Sequence, residues 1–152
     1  MSGSGQQSFW LIAGLMLVAG VGIPIMATLN AGVGQLLQNP VAASVTLFAA
    51  ALVLSTLALL ATGAPTLSQL RAVPAWRYLG AVLVVFYILS ITWAAPRIGI
   101  GNAVFFVLLG QLIAAGLIDH FGLWGAAASP LTARRALSIA VMALGVWLAK
   151  KA

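Results

Sequence analysis

The chain has 152 residues, of which 63% are hydrophobic and only 5% charged, with seven basic residues, one acid and no cysteine. Soluble domains carry about 25% charged residues, so composition argues against a water-facing globular surface, and the lack of cysteine excludes disulfides and thiolate metal sites. The net charge of +6 is no nucleic-acid signature, because Arg71, Arg77, Arg97, Arg134, Arg135, Lys150 and Lys151 are scattered at the ends of apolar runs.

Those runs are continuous rather than alternating, which predicts an all-α polytopic membrane protein and not a β-barrel. Residues 1–152 read as a single membrane domain in the lipid bilayer. MSGSGQQS at the start lacks the basic residues of a secretory leader, and no clear cleavage site follows, so the first run is expected to stay as a helix. It covers residues 9–30 or a turn further. Pro24, within GVGIPIM, is expected to kink it and free backbone carbonyls. Asn30, one and a half turns later, is either a helix-end group or a residue at the mouth of a cavity.

The second helix is expected at 41–62 and the third at 76–95. Ser90 and Thr92 on the third can bond back to their own helix and read as structural. Tyr87 differs, because its hydroxyl needs a partner in lipid, and it is a cavity candidate together with Trp93 near the helix exit. The fourth helix is expected at 101–119. Asn102 opens it as a cap or a cavity group. Gln111 lies near its middle, where an unsatisfied amide would cost several kcal/mol, roughly 2–7, and must face another helix, a cavity or a substrate. Nine residues at about 100° each put Asn102 and Gln111 on opposite faces.

The fifth helix, 135–149, is short and would cross only with little tilt or local thinning, whereas the first four can each span about 30 Å. Pro40, Pro65, Pro74, Pro96 and Pro130 fall in the connections. Trp10, Trp76, Tyr78, Trp93, Trp124 and Trp147 fall near segment ends, as interfacial aromatic belts require.

Five spans put the termini on opposite sides. The N-terminal side then receives Arg71, Arg77, Arg134 and Arg135, and the other side Arg97, Lys150 and Lys151, four against three. Orientation follows Lys/Arg asymmetry. Either the first helix decides and the tie is accidental, or the chain inserts both ways and pairs antiparallel. Small residues at four-residue spacing, Gly110 with Ala114 and Ala136 with Ala140, allow close helix approach, with Ala115 and Gly116 nearby.

Asp119 and His120 are the only acid and the only histidine. Asp119 lies two turns beyond Gln111, about 12 Å along the axis and near the interface. A carboxylate is unfavourable at a helix C-terminus, so a partner is expected, with Arg134 and Arg135 the candidates. The pair reads as a structural anchor with Gly122 ending the helix, as a gate, or as a proton relay. One Asp and one His cannot furnish a metal set. No metal, cofactor or enzymatic activity is expected, and GIGNA (residues 99–103) lacks the strand and spacing of a phosphate loop.

Three stretches resemble the small single-repeat members of the drug/metabolite transporter superfamily (YdcZ-like, half of an EamA-like transporter). They are PIMATLNAGVGQLLQNPVAAS (24–44), WRYLGAVLVVFYILSITWAAPRIGIGNAVFFVLLGQLIAAGLIDHFGLWG (76–125) and PLTARRALSIAVMALGVWLA (130–149). The resemblance implies a five-helix repeat that forms a transporter as an antiparallel homodimer, with the first four helices lining a cavity and the fifth packing outside. It also implies alternating access for small metabolites or drugs around a midplane cavity. Many relatives carry a glutamine before the LN of the first helix, where this chain has Met26, which implies the loss of a polar cavity group. The smallest multidrug exporters of the superfamily use a first-helix glutamate, and this chain has no glutamate, so proton-coupled export of cations by that mechanism is disfavoured.

The expected function is therefore a small-molecule transporter with Gln111, Tyr87, Trp93, Asn30 and Asn102 in its cavity. The alternative is a non-transporting or heterodimeric membrane module. Anionic, neutral and zwitterionic substrates all remain open.

Overall fold

The computed structural model describes residues 3–149, so Lys150 and Lys151 lie outside the described residues. The described residues are helical and contain no strand: α1 (Gly3–Leu36), α2 (Pro40–Thr62), α3 (Leu67–Arg71), α4 (Leu79–Ile98), α5 (Ile100–Phe121) and α6 (Ala133–Ala149). Short 3-10 turns lie at Ala75–Tyr78 and Leu123–Gly125. The third, fourth and fifth helices expected from sequence correspond to α4, α5 and α6.

Among the described residues four segments are long and apolar enough to cross a membrane: Gln6–Leu36, Pro40–Thr62, Ala75–Ile98 and Ile100–Phe121. The 17 residues of α6 extend about 25 Å, short of the roughly 30 Å of a hydrocarbon core.

Three boundaries differ from expectation for identifiable reasons. Helix α1 continues through Asn30, Gly32 and Gly34 to Leu36, so Asn30 is an interior residue and not a helix-end group. Gly34 serves close packing rather than termination, since a Cβ there would meet Thr92 Cγ2 at 3.3 Å and Pro40 Cα at 3.4 Å. Pro96 does not break α4 but sits in its last turn. The break comes at Gly99, whose φ of +82° suits glycine. Helix α3, unforeseen, is started by a capping box in which Thr66 Oγ1 accepts from the Gln69 amide and Gln69 Oε1 from the Thr66 amide.

The chain divides into two compact units, Met1–Arg97 and Ile98–Ala152. In the first, α1 buries Ala27, Asn30 and Ala31, α4 buries Ile88, Ile91, Thr92 and Ala95, and α2 adds Ala43 and Ser44. The α1 and α4 sets recur at three- and four-residue spacing, one stripe per helix. Small residues dominate, as they do where helices meet in lipid and close van der Waals packing replaces the hydrophobic effect. Helix α2 is entered through Asn39, whose Oδ1 accepts from the amides of Val41 (3.0 Å) and Ala42 (3.1 Å), with Pro40 opening the first turn.

In the second unit α5 packs on α6. Gly116 lies within 3.5 Å of Ile139 Cδ1 and Leu131 Cδ1 once a Cβ is placed on it. Among the described side chains of α6 the half-buried ones are Arg135, Ile139 and Ala143, one residue per turn. Gly110, Ala114, Ala136 and Ala140 all face outward, so the small pairs picked out by spacing do not form this contact. Ile139 and Leu131 fill the space over Gly116 instead.

Candidate functional site

In the first unit the end of α1, the start of α2 and the end of α4 come together. Asn30 is buried and its Nδ2 donates to Thr92 Oγ1 at 2.7 Å, tying α1 to α4. Thr92 therefore accepts across helices, where its sequence context suggests a bond within its own helix. Pro96 has no amide hydrogen to give to the Thr92 carbonyl one turn earlier, which loosens the last turn of α4 at this point.

Beyond this seam lies a cleft of about 370 Å³, lined among others by Gln35, Gln38, Pro40, Trp93, Pro96 and Arg97. Its floor is set by how α1 ends. The amide of Asn39 donates to Gly34 O (3.0 Å) and that of Gln38 to Gln35 O (3.1 Å), the paired bonds of a Schellman turn. Glycine usually holds the left-handed position of this turn, yet here it is Gln38, at φ +50°. An L side chain there costs about 1–2 kcal/mol. Residues held in such conformations concentrate at functional sites.

On the opposite wall the Arg97 guanidinium lies over the Trp93 ring, 4.2 Å from its centroid, and Nη1 donates to the Trp93 carbonyl. Trp93 remains 54% exposed. A second, apolar hollow runs along Pro40, Val41, Leu89, Ser90, Trp93 and Ala94, so Trp93 forms a wall of both. Further back along α4, the Tyr87 hydroxyl is buried and is the one buried side-chain polar atom among the described residues with no hydrogen-bond partner. At Pro24 the helix runs on without interruption, and Thr28 Oγ1 donates to the Pro24 carbonyl at 2.8 Å beside a shallow hollow.

In the second unit Asn102 Nδ2 donates to Ile98 O at 2.8 Å, a bond back across the helix start rather than into open space. Gln111 faces outward, and its side chain has no hydrogen-bond partner among the described residues. At the far end of α5, Arg135 Nη2 meets Asp119 Oδ2 at 2.6 Å, with the two side chains 38% and 34% exposed. His120 Nδ1 accepts from the Leu131 amide at 3.0 Å, and the Asp119 carbonyl accepts from the Ser129 amide at 2.7 Å. Gly122, at φ +59°, closes the helix in the left-handed conformation. Arg134 is exposed and outside this pair. No group of three or more His, Cys, Asp or Glu gathers among the described residues.

Of the sequence-predicted cavity residues, Trp93 lines the cleft, whereas Asn30 is tied up with Thr92 in the seam beneath and is not part of its lining. Tyr87 lies on the same helix as Trp93, and Asn102 and Gln111 belong to the second unit. Gln35 and Gln38 escape a sequence reading because the segment before Asn39–Pro40 reads as a glycine turn, and Arg97 because it reads as a headgroup anchor. The signal in the sequence is two glutamines three residues apart ahead of a helix-capping Asn-Pro.

Four apolar helices of membrane-spanning length make this a polytopic α-helical membrane protein. Its residues 11–148 match the family described as "Putative inner membrane exporter, YdcZ", and the chain belongs to that family. The family is one of transport proteins rather than enzymes. No curated protein and no solved structure matches the chain.

Proposed function

We propose that the chain is half of a bacterial inner-membrane exporter, completed by a second copy in inverted orientation and working by alternating access. The observation that carries this is Gln111. Its amide sits midway along a membrane-spanning helix, faces outward and has no partner among the described residues. In hydrocarbon that arrangement is costly, and a second protein surface at that depth relieves it. The thin core agrees, since no large side chain among the described residues is fully buried. So does the balance of basic residues, four against three if α6 also crosses. In the inverted pair the two copies exchange roles between inward- and outward-facing states by rocking about a midplane cavity.

The test is topology. Single cysteines at Ser4 and Ala152, in a chain with no native cysteine, are labelled in intact cells with a membrane-impermeant maleimide. Each site should label in about half of the molecules, as equal insertion both ways demands. Complete labelling at one site with none at the other would mean a single orientation and would rule out the self-paired inverted dimer.

A further inference from the structure

The cleft at the end of the first unit has a chemistry that transport alone leaves unassigned. Its one charged group is a cation. The Arg97 guanidinium has five N–H donors, of which one is committed to the Trp93 carbonyl. No carboxylate reaches the others, because the only ion pair among the described residues is Asp119–Arg135, and Asp119 is the only acid in the sequence. Gln35 and Gln38 add two amides with no side-chain partner among the described residues. Trp93, Pro40 and Pro96 supply apolar wall. At about 370 Å³ the space is at the lower end of what small-molecule sites use, roughly 300–1,000 Å³.

Fixed positive charge, amide donors and no acid select against cations and in favour of an oxyanion. Guanidinium matches a carboxylate or phosphate with parallel hydrogen bonds, and its stacking on Trp93 holds it in place before a ligand arrives. The strained backbone at Gln38 fits the same picture, since glycine would relax the turn but remove one of the two amides.

We propose that this cleft binds the oxyanion of a small organic anion through Arg97, Gln35 and Gln38, with the apolar body against Trp93 and Pro40, and that such anions are the exporter's substrate class. The substrate assignment rests on the transport reading above. The binding site stands on the cleft alone. A lipid headgroup phosphate offers the same oxyanion chemistry, so the experiment separates the two sources.

The full chain is purified in uncharged detergent, and binding of radiolabelled benzoate is followed by equilibrium dialysis, with benzylamine and benzamide as competitors. Saturable benzoate binding is expected. It should weaken about tenfold or more in Arg97→Gln, the loss of one charge-assisted contact. Arg97→Lys, which keeps the charge but loses the paired bonds and the stacking, should weaken it less than Arg97→Gln does, and Arg71→Gln should leave it unchanged, with all variants melting as the parent does. Benzylamine should not compete. No saturable binding at millimolar benzoate, or equal binding by Arg97→Gln, overturns the site.

The same measurement in nanodiscs of phosphatidylcholine and of phosphatidylglycerol decides the source. Binding in both supports a soluble anion, whereas binding abolished by phosphatidylglycerol hands the cleft to lipid and overturns the substrate assignment. Benzoate counterflow in proteoliposomes completes the test. Arg97-dependent counterflow supports the assignment. Binding without counterflow keeps the site and sinks the transport reading. Counterflow of benzamide equal to that of benzoate, and indifferent to Arg97→Gln, keeps transport and sinks the anion assignment.

Discussion

Asn30 and Thr92, 62 residues apart in sequence, share a buried 2.7 Å hydrogen bond that joins α1 to α4 beneath the cleft. Both sit at the apolar seam where Ala27, Ala31, Ile88 and Ile91 pack. Interhelical side-chain bonds in membranes contribute about 0.6 kcal/mol on average and up to about 1.7. Asn30→Leu and Thr92→Val should each lower stability. The double variant should lose less than the two single losses added together, because neither then strands a partner. Reversible unfolding of the four proteins in mixed micelles measures the coupling, and strict additivity would place the bond outside the folding energetics.

Gly34 predicts a steric threshold at the same seam. A Cβ at this position would come within 3.3 Å of Thr92 Cγ2, 3.4 Å of Pro40 Cα and 3.6 Å of Ala43 Cβ, and Pro40 presents backbone that cannot rotate aside. Gly34→Ala should be tolerated with modest loss. Gly34→Leu should cost at least the roughly 1–3 kcal/mol of overpacking, seen as a collapse of monodisperse yield. Gly14, with nothing near it, is the control, and Gly14→Leu should leave yield unchanged.

At the C-terminal end of α5 the ion pair of Asp119 and Arg135 is more than a third exposed, so solvent screening limits its contribution to about 0–1 kcal/mol. Without Arg135 the carboxylate would stand uncompensated against the negative end of the helix. Arg135→Ala should therefore lower the melting temperature at low salt, with the deficit shrinking as salt rises. Arg134→Ala, outside the pair, should change nothing. Equal effects of the two variants would make the contribution one of general charge rather than of this contact.

If Gln111 meets a second copy, depth becomes a ruler for orientation. In an inverted pair, residues near the midplane return to the same depth, while those at a helix end are carried to the opposite face. Phe121 lies ten residues beyond Gln111, about 15 Å along the axis, so two inverted copies of it are separated by about 30 Å. Gln111→Cys should crosslink to itself with a short bismaleimide, and Phe121→Cys should not. Self-crosslinking at Phe121 would indicate parallel pairing, whatever Gln111 does. Export lost in a folded, dimeric Gln111→Ala would add a cavity role; full export would remove Gln111 from the cavity.

The helices were legible because lipid leaves little choice: every apolar run long enough to span becomes a helix, and proline, glycine and Asn39 mark most of the ends. What composition could not convey was which small residues pack. Gly110, Ala114, Ala136 and Ala140 have the spacing but face outward, whereas Gly34 and Gly116 make the close approaches. Spacing gives a face of a helix, and only the neighbouring helix decides whether that face is used. The cleft was hidden for a related reason. Gln35 and Gln38 precede a helix break and read as loop, and only the Schellman turn brings them toward Arg97's wall. Asn30 and Trp93 were visible as candidates because polar and aromatic groups are rare in such a chain.

Gln38 separates stability from function most cleanly. Its left-handed backbone costs about 1–2 kcal/mol relative to a relaxed turn, of which glycine recovers part and returns some to the more flexible unfolded chain. Gln38→Gly should therefore stabilise the protein by about 0.5–1 kcal/mol while weakening benzoate binding through loss of an amide. Gln38→Ala keeps the strain and loses the amide, so it should weaken binding to the same degree with no gain in stability. Thermal melting and dialysis on the two variants distinguish the contributions. If both variants bind as the parent does, the side chain has no part in the site, and the strain at this turn then has no functional counterpart.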